Sequence, residues 1–187
     1  MKAQEDSSEM RILMILIPEN DASVAKSDPA VRLERAAGPY YVFRDADVEV
    51  VLASPDGGSP LMEFSGNDAS AGIMQRFRLD RLAVDEFSDT LKLDQVYPDD
   101  FDAAFCVGLP GSIWQPQNQS TAGALIARLL EAGKPVAVMP SGVDLAPKGA
   151  GDGLLIVGDS SKSSVPVAQA LLGVIGPSPI KPERNVS

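Results

Sequence analysis

The chain has 187 residues, of which 44% are hydrophobic, and it carries a formal net charge of -10. This length suits one domain with a sizeable core, and the acidic balance argues against binding to a nucleic-acid backbone, which requires clustered Lys and Arg. The sequence has no histidine and one cysteine, Cys106. These counts exclude imidazole-based catalysis, most zinc sites and an internal disulfide, and we expect neither a metal nor a cofactor.

The two ends of the chain and its one thiol indicate where the protein works. Residues 1–10 are polar and acidic, unlike a signal peptide, and we expect them to be disordered. The apolar run Ile12–Ile17 is far too short to span a membrane. We expect a single domain over residues 11–176, a flexible proline-rich tail over 177–187, a cytoplasmic location and no membrane partner.

Five short apolar runs are typical of buried strands. In chain order they are Arg11–Ile17, Val48–Ala53, Phe101–Val107, Val136–Met139 and Leu154–Val157.

Helical patterns alternate with these runs. Asp28-Pro29 resembles a helix start, with the pattern that follows broken at Gly38-Pro39. Further helices are predicted over Asp80–Leu91, Thr121–Ala132 and Ser161–Ile175, whereas Leu61–Gly72 is interpreted as a surface loop or a pocket rim. The alternation predicts an α/β fold: a doubly wound, mostly parallel sheet of about five or six strands with helices on both faces.

Four segments resemble one known family, and they occur in the family's order. They are P-Y-Y-V-F-R-D-A-D-V-E-V-V-L-A-S-P-D-G-G-S-P (39–60), D-D-F-D-A-A-F-C-V-G-L-P-G-S-I-W (99–114), G-K-P-V-A-V-M-P-S-G (133–142) and G-D-G-L-L-I-V-G-D-S-S-K-S-S-V-P-V-A (151–168). They are similar to the ThiJ/PfpI superfamily, the parkinsonism-associated deglycase and chaperone group, and in particular to its larger chaperone and glyoxalase branch. The resemblance implies a flavodoxin-like, class I glutamine amidotransferase-like fold, and a homodimer.

The departures from the family pattern fall on its chemical groups. The family's cysteine nucleophile corresponds to Pro140, the histidine after it to Ser141, and its glutamate to Arg35. Glu34 is adjacent, but one step along a helix turns a side chain by about 100°. The segment Val143–Gly153 is also shorter than its family counterpart. The resemblance therefore implies that thiolate-based deglycase, glyoxalase and protease activities are lost.

Three of the remaining candidates have two readings each. Ser141 is a turn former or a replacement nucleophile, for which Asp144 or a lysine would have to act as base. Cys106 is an inert buried side chain or a reactive thiol. Arg35 is ion-paired or binds an anionic ligand.

Two further candidates lie in the second half of the chain. Trp114 is a pocket wall or ordinary packing. The turn formed by Lys162, Ser163 and Ser164 caps the last helix or binds an anion there.

Three functions from different classes stay open. The first is a catalytically divergent protein that binds a small molecule or a protein partner at the strand carboxyl ends. The second is a cofactor-free hydratase, lyase or isomerase that uses Arg35 with Glu19, Asp21 or Glu34. The third is a holdase-like stress protein with an exposed apolar patch. The pocket candidates are Glu19, Glu34, Arg35, Gly108, Leu109, Trp114, Pro140 and Ser141.

Overall fold

The main sheet of the protein has six parallel strands. A computed structural model describes residues 9–19, 28–64, 71–109, 121–140, 155–158 and 164–176. The strands of the main sheet are β1 (Arg11–Leu16), β3 (Glu49–Ser54), β5 (Leu91–Lys92), β6 (Ala103–Leu109), β7 (Val136–Pro140) and β8 (Leu155–Val157). They lie in the order β5-β3-β1-β6-β7-β8, and every neighbouring pair is parallel.

Five helices and a second small sheet complete the described part of the fold. The helices are α1 (Leu33–Arg44), α2 (Ala71–Leu79), α3 (Arg81–Phe87), α4 (Thr121–Glu131) and α5 (Ser164–Ile175). The small sheet pairs β2 (Val31–Arg32) with β4 (Met62–Glu63). Two 3₁₀ turns, Leu93–Gln95 and Pro98–Asp100, precede β6.

The central strand β1 is buried on both faces, because its side chains alternate between two cores. Ile12, Met14 and Leu16 join the core formed with α1, α2, α3 and α5. Leu13 and Ile15 join a second core, formed mainly with α4. The predicted doubly wound α/β fold is therefore confirmed.

The strand order predicts a crevice outside the carboxyl ends of β1 and β6. The chain leaves β1 for β3 and β5 on one side, and then returns to β6, β7 and β8 on the other. The direction of winding thus reverses between β1 and β6. In open α/β sheets ligands bind outside the strand carboxyl ends at such a reversal.

The prediction that a helix starts at Asp28-Pro29 is wrong, since α1 begins only at Leu33. Ala30 exchanges two backbone hydrogen bonds with Glu19, with N···O distances of 2.9 and 3.0 Å, and the Val31 amide donates to the Leu61 carbonyl. These backbone hydrogen bonds keep Ala30 and Val31 in an extended conformation, so the helix begins only after them.

The predicted break at Gly38-Pro39 is also wrong, because α1 runs through both residues. Pro39 has no N–H, so the carbonyl of Arg35 lacks its helical donor. Packing outweighs this loss: α5 lies so close that a Cβ on Gly38 would be 2.7 Å from Cγ2 of Val165. Tertiary contacts of this kind override local propensity.

The stretch Leu61–Gly72, which the sequence predicts to be a surface loop or a pocket rim, contains β4, and α2 starts at Ala71. A two-residue strand has no periodicity to detect, and α2 buries only Met74 and Phe77. The short edge strand β5 was missed for the same reason as β4.

The other predicted elements are confirmed with shifted ends. The helix predicted over Asp80–Leu91 shortens to α3, and Asp80 caps it by accepting from the Ala83 amide at 3.2 Å. The strand predicted over Phe101–Val107 is β6, which begins and ends two residues later, at Ala103 and Leu109.

Among the described residues no helix has the length and apolar character needed to cross a bilayer.

Candidate functional site

The chain leaves β1 along a tightly held path that fixes Glu19 at the crevice. The Ile17 amide donates to the Val107 carbonyl of β6 at 2.9 Å. Two residues later, Glu19 exchanges its two backbone hydrogen bonds with Ala30. The backbone of Glu19 is therefore anchored on both sides, and its side chain is only 8% exposed.

Gly108 sits directly beneath Glu19, near the end of β6. Its φ is +87°, and the register with β7 shifts between Val107 and Leu109, as in a bulge. A Cβ here would collide with the Ile17 carbonyl oxygen and lie 3.1 Å from Cγ and 3.2 Å from Oε1 of Glu19. Only glycine combines this backbone angle with so close an approach of the β1 exit.

Arg35 reaches the same point from the first turn of α1. Its Nη1 lies 3.3 Å from Oε1 and 3.2 Å from Oε2 of Glu19, and its side chain is 22% exposed. Among the described residues its buried Nε finds no hydrogen-bond acceptor, and an unmade bond of this kind costs about 1 to 3 kcal/mol for a typical polar group. Of the two readings of Arg35, the structure supports the ion pair.

Glu34 precedes Arg35 on α1, and Oε2 of its side chain is buried. The ion pair with Glu19 is made by Arg35. That the one-residue step turns the Glu34 side chain away from the site stays a prediction from helix geometry.

Cys106 behaves as a buried structural side chain. It lies on β6 between Ile15 of β1 and Val138 of β7, and it belongs to the core on the α4 face. Burial, and then the negative charge of Glu19, raise the pKa of the thiol well above its usual value. A thiol that stays protonated is a poor nucleophile.

The residue at the family's nucleophile position is near Glu19, Arg35 and Gly108, but it carries no reactive atom. Pro140 is the last residue of β7, and its partner on β6 is Leu109, the residue after Gly108. Hence Pro140, Leu109, Gly108, Glu19 and Arg35 gather at the carboxyl ends of three adjacent strands. The candidates Asp21, Trp114, Ser141, Asp144, Lys162 and Ser163 lie outside the described residues, whereas Ser164 is buried at the start of α5.

A second cleft, which the sequence did not indicate, opens on the β3 side of the same edge. It has a volume of about 360 Å³ and is lined by Pro18, Pro29 and the loop from Ser54 to Leu61. The Ser54 and Thr90 hydroxyls, 2.7 Å apart, hold this loop, and Thr90 donates to the Gly58 carbonyl at 2.8 Å. The segment S-P-D-G-G (54–58) has the residues of a turn. The sequence does not show that this turn faces Pro18 and Pro29.

In the part of the chain that the structure describes, no three His, Cys, Asp or Glu side chains form a group that could hold a metal ion. Glu19 forms an ion pair with Arg35.

Known proteins resemble this chain in structure. No family model matches the sequence, and no curated protein matches it. A Rapid Encystment Protein of 24 kDa from Francisella tularensis superposes with a TM-score of 0.64 at 14% identity, over 89% of this chain and 99% of that one. Glyoxalase III from Candida albicans gives a TM-score of 0.61 at 15% identity over 89% and 97% of the two chains. A ThiJ/PfpI domain protein from Brachyspira murdochii gives 0.57 at 16% identity over 89% and 96%.

At these sequence identities the similarity shows the fold alone. The four sequence segments and the structural neighbours indicate the same fold independently. The chain has the flavodoxin-like α/β fold of the ThiJ/PfpI proteins.

Proposed function

We propose that this protein binds a small polar molecule at the β1–β6 crevice and has no thiolate chemistry. The observation that carries the proposal is the Glu19–Arg35 pair, whose Glu19 lies against Gly108 at the reversal of strand order. The proposal differs from the activity of the glyoxalase neighbour, because the family's nucleophile position is Pro140 and the thiol of Cys106 is buried one strand away.

The chemistry of the pair favours an uncharged ligand. A carboxylate accepts hydrogen bonds and a guanidinium donates them, and their charges nearly cancel at 3.2 Å. A matching ligand has a carbonyl or amide oxygen beside an O–H or N–H group, as in a carboxamide or a hydroxycarbonyl compound. The buried Nε–H of Arg35 has no acceptor within the described ranges, which supports a site that a ligand oxygen completes.

A second candidate function is a cofactor-free hydratase, lyase or isomerase step on such a ligand. The largely buried Glu19, held beside Arg35, favours it, because a positioned carboxylate can move a proton while a guanidinium stabilises developing negative charge. Exchange of a ligand C–H proton with deuterated water, lost in Glu19→Gln, would favour the enzyme over the binding protein.

We also propose a homodimer in the cytoplasm. The single, buried thiol is compatible with a reducing compartment. The exposed side chains of Leu79, Leu82 and Tyr97 offer an apolar surface for assembly.

Fragment screening by protein NMR tests the binding proposal. We expect carboxamide and hydroxycarbonyl fragments to shift the amide signals of Gly108 and Glu19. Binding should be lost in Arg35→Met and in Glu19→Gln, and kept in the control Arg76→Met. The control removes an arginine that pairs with Asp45 at 2.6 Å, beyond the carboxyl end of α1 and thus at the opposite edge of the sheet. Hits that leave the Gly108 signal unmoved, or that survive both site variants, would overturn the proposal.

A further inference from the structure

A cavity of about 510 Å³ opens at the amino-terminal edge of the main sheet, opposite the crevice. We call it the basal cavity. Its described lining is apolar apart from Asp47, the other residues being Met10, Ala46, Val48, Leu172, Gly173 and Gly176. These residues come from the starts of β1 and β3 and from the last turn of α5. Small-molecule sites have volumes of this order and are likewise mostly apolar, with a few polar groups.

Backbone hydrogen bonds hold the rim of the basal cavity in place. The Val48 amide donates to the Phe43 carbonyl at 3.1 Å, which closes the turn after α1. The Glu49 amide donates to the Met10 carbonyl at 3.0 Å and ties this turn to the start of β1. A ligand therefore meets a preformed cavity and loses little affinity to ordering it.

A smaller polar hollow of about 250 Å³ adjoins the basal cavity, since Asp47 and Val48 line both. Its other described lining residues are Glu9, Arg44 and Glu49. Three of these five side chains are acidic and one is basic. One end of the apolar cavity thus carries an excess of negative charge.

Two of the three acidic groups have no counter-charge among the described residues. Arg11 binds Glu49 at 2.8 Å, and Arg44 lies 3.8 Å from a carboxylate of α3. Glu9 and Asp47 form no ion pair within the described ranges, and both are exposed. The polar hollow therefore attracts a cation from outside the chain.

Two helices also end at the basal cavity. α1 ends at Arg44 and α5 at Ile175, and the carboxyl end of a helix carries a partial negative charge. The last turn of α5 contains no basic side chain, and Arg44 in the last turn of α1 is already paired. Both helix ends thus favour a positively charged ligand.

Gly173 leaves the basal cavity open on the α5 side. A Cβ at Gly173 would meet nothing within 4 Å, whereas a Cβ at Gly38 would lie 2.7 Å from Val165. Packing therefore requires glycine at position 38 but not at position 173. Because glycine disfavours a helix, its presence at position 173 is best explained by the space that it leaves in the cavity.

We propose that the basal cavity binds a small hydrophobic amine, a compound whose protonated amino group is attached to an aliphatic or aromatic body. The ammonium group, which donates three hydrogen bonds and accepts none, lies in the polar hollow near Glu9 and Asp47. The apolar body packs against Val48 and Leu172 and is thereby removed from water. This site is separate from the crevice, which lies at the opposite edge of the sheet and suits an uncharged polar ligand.

Protein NMR titration at low ionic strength with phenethylamine, 2-phenylethanol and phenylacetate tests this chemistry. The three probes share an aromatic ring and differ in charge. Phenethylamine should shift the amide signals of Val48 and Gly173, with a Kd of about 10⁻³ M for so small a ligand, and should leave Gly108 unmoved. 2-Phenylethanol should bind about tenfold more weakly, since it forms neither ion pair. Phenylacetate should bind least, because the acidic groups repel it.

Removing either unpaired charge should weaken the binding of the amine alone. Glu9→Gln and Asp47→Asn should each raise the Kd of phenethylamine about threefold, as expected for an exposed ion pair, and leave the Kd of 2-phenylethanol unchanged. Asparagine tolerates the φ of +55° at position 47, so the turn should persist. Added salt should weaken phenethylamine in the same way.

Filling the cavity should abolish the binding of both phenethylamine and 2-phenylethanol. Gly173→Leu places a large apolar side chain in the open space, and its urea midpoint should not fall, because leucine favours a helix more than glycine does. The matched control is Gly72→Leu on α2, where a Cβ also meets nothing within 4 Å. It should bind both probes like the wild type.

The proposal is wrong if phenethylamine leaves Val48 and Gly173 unmoved at about ten times the expected Kd. It is equally wrong if 2-phenylethanol binds as tightly as the amine, or if Gly173→Leu binds like the wild type. Binding that appears only after residues 177–187 are removed would assign the cavity to the chain's own segment after Gly176. A concentration-dependent change at Val48 and Gly173 without any probe would assign it to a second copy. Either result would overturn the proposal.

Discussion

Replacing Gly108 by alanine should destabilise the protein through the approach of β1 to β6. The φ of +87° is strained for any residue with a Cβ, at a cost of about 1 to 3 kcal/mol. The new Cβ also meets the Ile17 carbonyl, which is backbone and cannot rotate away, and it lies 3.1 Å from Cγ of Glu19. Forced shifts of this kind cost about 1 to 3 kcal/mol more. Urea unfolding followed by circular dichroism should therefore show a loss of about 2 to 6 kcal/mol.

Gly133→Ala supplies the matched control. Gly133 also has a positive φ, +74°, but a Cβ there meets nothing within 4 Å. The free energy of unfolding of the Gly133→Ala protein should fall only by the conformational cost, about 1 to 2 kcal/mol. If both variants lose the same free energy of unfolding, Glu19 and Ile17 do not lie against Gly108, and the described contact between β1 and β6 at this point is wrong.

Three further predictions concern other buried groups. Thr90→Val should cost about 1 to 3 kcal/mol, since it removes the bond that holds the buried Ser54 hydroxyl, and a double-mutant cycle with Ser54→Ala should give a combined cost below the sum. Burial, and then hydrogen bonding to Asp80, raise the pKa of Tyr41 from 10.0 to about 12. Its stabilising contribution is therefore complete below pH 10 and is lost as the pH rises towards 12, so Tyr41→Phe should flatten the alkaline fall in melting temperature. Because burial raises the pKa of the Cys106 thiol, Ellman's reagent should find no reactive thiol in the native protein and one per chain in denaturant; rapid native labelling would contradict its burial.

The sequence predicts the strands well because a central parallel strand must be apolar on both faces. The run I-L-M-I-L is short, apolar and ended by a proline two residues later, which is typical of such a strand, and the buried position of Cys106 follows from the same argument. The position of Pro140 at the end of β7 follows from the apolar run before it together with the family resemblance.

The crevice itself could be predicted only in part. Glu19 and Arg35 were both candidates, but they are 16 residues apart and come from a loop and a helix. Their meeting depends on the backbone bridge between Glu19 and Ala30, and a single bridge leaves no periodic pattern. The two-residue strands β2 and β4 were missed for the same physical reason, since their pairing is set by tertiary contact rather than by local preference.

Methylglyoxal turnover measures directly whether the protein has thiolate chemistry. We expect no turnover above the buffer rate in the wild type, in Cys106→Ala or in Pro140→Cys. A thiol placed at the end of β7 would lack both the acid that Arg35 replaces and the histidine that Ser141 replaces. Turnover by the wild type that disappears in Cys106→Ala would refute the proposal, because it would show that the buried thiol of β6 performs the chemistry.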